Sequence, residues 1–88
     1  AYYRPGTVTT GFDVWTDYQK TTDTSAEIKF KYFGNCDKYT MVVTLSDRAQ
    51  YTAYLDGKEI SFNERNKGSL EFTFKKDVKG GVLEIKEK

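Results

Sequence analysis

The chain has no histidine, and only one cysteine, one proline, one methionine and one tryptophan among its 88 residues. Each shortage removes a class of function. Without histidine, the Ser–His and Cys–His pairs that activate nucleophiles near neutral pH are missing. The one thiol, Cys36, has no partner for an internal disulfide and no second sulfur for a zinc or redox motif. It lies in FGNCDKY beside Asp37 rather than beside the cationic groups that activate a thiol, so an incidental free thiol is expected. A charge excess is lacking too. Fourteen basic and thirteen acidic residues leave a net charge of +1, with the signs interspersed. Nucleic-acid binding usually needs a basic excess, because phosphate neutralisation supplies most of the affinity, so no nucleic-acid partner is expected. No apolar run approaches the ~20 residues needed to cross a bilayer, and no membrane insertion is expected. The chain begins at Ala without a signal-peptide pattern and reads as a processed chain or as a domain of a larger protein.

What remains is rich in strand formers. Seven Tyr, six Phe and one Trp stand among many Thr, and aromatic residues make up 16% of the chain. Residues 1–6, AYYRPG, read as a linker or arm, because Pro5 lacks an amide donor and Gly6 is permissive. Residues 7–88 read as one domain, the size of a single small core. TVTTGFDVWTDY predicts a first strand with Val8, Thr10, Phe12 and Val14 on the inner face. Thr9, Asp13, Trp15 and Asp17 then face out, and Gly11 is a place for a bulge. QKTTDTS reads as a loop. AEIKFKYF points Ile28, Phe30 and Tyr32 inward and Phe33 outward. YTMVVTLS points Met41, Val43 and Leu45 inward. YTAYL sets Tyr51, Ala53 and Leu55 against Tyr54.

Asp56-Gly57 is the clearest hairpin signal, because both central residues of a type I′ turn need φ > 0. EISFN predicts a fifth strand with Ile60 and Phe62 inward, and ERNKG a turn. SLEFTFKK points Leu70, Phe72 and Phe74 inward, and VLEIKEK closes the chain with Leu83 and Ile85 inward. About seven strands at short, regular spacing and no helical period predict an all-β, immunoglobulin-like antiparallel sandwich. A small β-barrel is the alternative. The stretches YTAYLDGKEI and GSLEFTFKKD resemble in style the β-sandwich accessory modules of bacteria, without a family-specific motif.

The functional lead is the lone indole. In GFDVWTDYQ, Trp15 shares the outer face with Asp13 and Asp17. An exposed indole offers an apolar plate beside an N–H donor, and flanking carboxylates accept hydrogen bonds from sugar hydroxyls. On an extended strand each Asp lies ~7 Å from Trp15, suited to the two ends of one stacked ring. Tyr54 and Phe33 also fall on outward positions, and Tyr2 and Tyr3 lie in the arm. Carbohydrate binding through Trp15, Asp13 and Asp17, aided by Tyr54 or Phe33, is therefore expected. A polysaccharide or a protein is the expected partner, and an extracellular or cell-surface location is expected. The competing readings are packing of Trp15 under the neighbouring loop or arm, and a structural or protein-interaction role as spacer, adhesin unit or virion component.

Catalysis is not expected. Asp13 and Asp17 would lie roughly 13 Å apart on a strand, whereas paired glycosidase carboxylates need about 5–9.5 Å. Asp13, Asp17, Asp23 and Asp37 lack the dense spacing of a calcium loop, and no metal or cofactor is expected. Lys29 and Lys31 near Phe33 could suggest single-stranded nucleic acid. The balanced charge and Glu27 beside them favour a solvated face instead.

Overall fold

The computed structural model describes residues 4–88, so Tyr2 and Tyr3 lie outside the described residues. It is all-β, with nine strands among those residues: β1 (Thr7–Thr10), β2 (Val14–Thr21), β3 (Ala26–Tyr32), β4 (Lys38–Thr44), β5 (Tyr51–Leu55), β6 (Lys58–Ile60), β7 (Asn63–Asn66), β8 (Ser69–Lys75) and β9 (Gly80–Glu87). They form two antiparallel sheets, ordered β1-β4-β8-β7 and β2-β3-β9-β5-β6. Four open edges, β1, β7, β2 and β6, distinguish this sandwich from a closed barrel.

The most deeply buried strands form where the sequence alternates most strictly. In β3, Ala26, Ile28, Phe30 and Tyr32 are buried while Lys29 and Lys31 are exposed. Met41 and Val43 of β4 and Leu70 and Phe72 of β8 face them as fully buried side chains. The core is most aromatic at one end. There the Phe30 and Phe74 rings stack with centroids 5.5 Å apart, and Tyr32 stacks on Tyr39 at 3.8 Å. Such pairs each add about 0.5–1.5 kcal/mol beyond area burial and lock ring positions. Asp56 (φ 50°) and Gly57 (φ 86°) both adopt the left-handed conformation expected of the tight β5–β6 turn.

Three expectations are corrected. The first predicted strand is two strands in different sheets. The chain leaves the four-stranded sheet at Gly11 and enters the five-stranded sheet at Val14, through a turn in which Val14 N donates to Gly11 O at 3.3 Å. Phe12 lies at this crossover and is wholly exposed at 109%, not inward. The predicted QKTTDTS loop is shorter than expected: β2 runs to Thr21, leaving residues 22–25 as the turn, and Thr22 N donates to Ser25 O at 2.9 Å to close a tight hairpin. The predicted fifth strand is a second crossover. Lys58–Ile60 pairs with β5, and Phe62 packs its ring 5.4 Å from Phe72. The chain then continues as β7 in the other sheet, where a turn was expected. Strand β7 is exposed on every residue, so its sequence carries no alternation to reveal it.

Candidate functional site

Trp15 lies on the edge strand β2, opposite Lys31 of β3. Its neighbours Val14 and Thr16 pair with the buried Tyr32 and Phe30, so the aromatic end of the core fixes the backbone beneath it. The indole projects outward and is 62% exposed. Packing under a loop is therefore not its role. Its Nε1–H donates to Asp17 Oδ1 at 3.1 Å, and Lys31 Nζ approaches Asp17 Oδ2 at 3.9 Å. Register slips between Thr16 and Tyr18, a β-bulge centred on Asp17. At this bulge the carboxylate lies against the indole. Asp17 therefore orients the ring, and its remaining lone pairs are available to a ligand.

Asp13 is placed differently. It belongs to the crossover, and its backbone oxygen accepts from Phe33 N at 2.8 Å. Its carboxylate crowds the space beside Gly34 together with the Tyr32 hydroxyl, on the inward-facing side of β3. That hydroxyl accepts from Cys36 N at 2.9 Å, and its pKa is pushed up, chiefly by burial. The expected symmetric pair of carboxylates flanking the indole is thus not formed, because the sheet switch turns Asp13 away from the pleat that Trp15 occupies.

Phe33, 71% exposed, follows β3 on the same side as Lys31. It stands diagonal to Trp15, a relation that leaves roughly 7–8 Å between positions and keeps large side chains in reach. Tyr54 does not join them. It faces Glu84 on β9, which faces Glu27 on β3, whereas Trp15 faces Lys31. Three strand steps and four residues put it roughly 19 Å from Trp15. Its ring lies under Lys86 Nζ, 5.6 Å from the centroid.

Two aromatics near Trp15 escaped the sequence reading. Alternation alone points Phe12 inward, although its neighbours Gly11 and Asp13 are turn residues that signal a break. Tyr18 is carried to the outer face by the Asp17 bulge, which leaves no mark in the sequence. Its hydroxyl donates to Glu27 Oε2 at 2.7 Å, and this bond, followed by burial, raises its pKa. The exposed large hydrophobics among the described residues, Phe12, Trp15 and Phe33, all lie at this one corner. The corner is a platform rather than a pocket. A depression of about 450 Å³ lies on the opposite sheet instead, between Thr9, Thr44, Ser69 and Arg65. Among the described residues, no three acidic or thiol side chains gather as metal ligands would. No protein family, no curated protein and no solved structure matches the chain.

Proposed function

We propose that the chain is a non-catalytic accessory module that binds carbohydrate through the platform of Trp15 and Phe33. The observation that carries this reading is the exposed indole with its N–H tied to Asp17. The bond leaves the ring face free for the C–H face of a pyranose and limits the ring freedom lost on binding. A flat, open platform suits a polymer rather than an enclosed small molecule. Asp17 and Lys31 supply hydrogen-bond partners at its rim, and Asp13 is not part of the grip. An extracellular or cell-surface module within a larger protein fits a polysaccharide ligand.

An immunoglobulin-like relation is likewise our proposal. It is supported by two packed antiparallel sheets and by a first stretch of chain that serves both. The strand order departs from the seven-stranded constant arrangement in both sheets: β7, not the last strand, lies beside β8, and β1 is added beside β4. The last strand, β9, takes the slot beside β3 that the fifth strand holds there.

The wholly exposed Phe12 favours a second reading. A phenyl ring with no polar companion fits a protein contact better than a sugar, and aromatic clusters anchor protein interfaces. Titration of the Trp15 fluorescence with soluble polysaccharides separates the two. The carbohydrate reading predicts a saturable shift, and loss of binding in a folded Trp15→Ala variant. Unchanged emission across a broad polysaccharide panel, with a protein captured through Phe12, would transfer the corner to the second reading.

A further inference from the structure

Two lysines stand directly opposite each other on the outer face of the four-stranded sheet. Lys38 of β4 faces Lys75 of β8, and on the same face Thr40 faces Thr73. Two main-chain bonds fix the phase of this ladder: Lys76 N to Asp37 O at 3.0 Å, and Leu45 N to Gly68 O at 2.7 Å. They place Asp37–Lys76 and Leu45–Gly68 on hydrogen-bonded positions. Lys38–Lys75 and Thr40–Thr73 therefore fall on the alternate positions, where opposed side chains approach most closely. Like charges there repel. The ion pairs among the described residues engage Lys31, Arg65, Lys76 and Lys86, and none engages Lys38 or Lys75. All four side chains of the square are exposed. Further along the same face Glu71 is occupied by Arg65 at 3.7 Å, and the Thr44–Ser69 pair borders the 450 Å³ depression.

We propose that this face binds acidic polysaccharide, with a sulfate or carboxylate group seated between Lys38 and Lys75. An oxyanion turns the repulsion between the two ammonium groups into two charge-assisted hydrogen bonds. The Thr40 and Thr73 hydroxyls donate to its remaining oxygens. Nucleic acid is the poorer fit. Among the described residues the exposed large hydrophobic aromatics Phe12, Trp15 and Phe33 lie elsewhere and do not stack a base here, and the net charge is only +1. The surface belongs to the opposite sheet from Trp15 and does not depend on the reading of that residue.

Binding of dextran sulfate, unsulfated dextran and a single-stranded oligonucleotide to the chain, measured across a salt series, tests this. Dextran sulfate should bind, and Lys38→Gln with Lys75→Gln should weaken it about tenfold or more and flatten the salt dependence by about two charges. Lys29→Gln with Lys58→Gln, an equal charge change on the other sheet, should alter affinity by less than about twofold. Thr40→Val with Thr73→Val should weaken binding with the salt slope intact. Thermal unfolding of each variant confirms that it folds. Equal loss from both lysine pairs, equal affinity for unsulfated dextran, or tighter binding of the oligonucleotide would overturn the proposal.

Discussion

The Trp15 indole donates to Asp17 two residues along the same strand, at 3.1 Å. A flat strand sets such residues ~7 Å apart on one face, and here the contact is made where the ladder slips at Asp17. A local irregularity in the backbone thus becomes an oriented aromatic surface.

Removing that contact should cost affinity and little stability. In Asp17→Ala the indole loses its acceptor but stays at the surface. We expect stability to change by under about 0.5 kcal/mol, the usual range for exposed positions. The Trp15 fluorescence anisotropy should fall and polysaccharide affinity should drop several-fold. Unaltered anisotropy would show that the ring is held by other contacts.

Phe12 and Phe72 offer a sharp contrast in stability. Phe72 is fully buried, so Phe72→Ala should cost about 3–5 kcal/mol, a large part of the stability of so small a domain. Phe12→Ala should leave stability within about 0.5 kcal/mol of the parent. Urea unfolding of the two variants checks the placement of Phe12 directly, because a core Phe12 would make the two losses similar.

Glycine is required at Gly80 and not at Gly11. Gly80 has φ +147°, and a Cβ there would overlap the Phe30 carbonyl oxygen of the neighbouring strand. A Cβ at Gly11 meets nothing within 4 Å. Gly80→Ala should cost on the order of 2–3 kcal/mol, whereas Gly11→Ala should be close to neutral. Thermal unfolding of both variants decides this.

Alkaline unfolding should report on Tyr39. Its hydroxyl donates to the Val78 carbonyl, and burial, followed by the nearby Tyr32 and Asp77, pushes its pKa up from 10.0 to about 12. The folded state therefore holds the proton more tightly than the unfolded state. The contribution is fully present below about pH 10 and is lost as pH rises through about 12, on the order of 2 kcal/mol in all. Tyr39→Phe should flatten this alkaline limb, and denaturant unfolding across that window measures it.

Much of the fold was legible because half-buried strands alternate. AEIKFKYF, YTMVVTLS and SLEFTFKK each announced their inner faces, and Asp56-Gly57 announced its turn. Alternation does not say which sheet a strand joins, so the crossovers at Phe12 and Phe62 were hidden inside apparently continuous strands. For the site, Trp15 and Phe33 were legible as outward residues. Asp17 and Tyr54 also face outward as expected, but the turn of Asp13, the direct contact of Asp17 with the indole and the distance of Tyr54 were not legible, because they depend on a sheet switch, a bulge and the order of distant strands. Those features are fixed by long-range pairing and leave no local pattern.

The most direct test of the aromatic platform is an amide and indole NMR map of the chain with and without a soluble polysaccharide that shifts the Trp15 fluorescence. The account predicts that the Trp15 indole N–H, Asp17 and Phe33 signals move together while Tyr54 stays still. Perturbation centred on Tyr54, with the Trp15 indole unchanged, would contradict it.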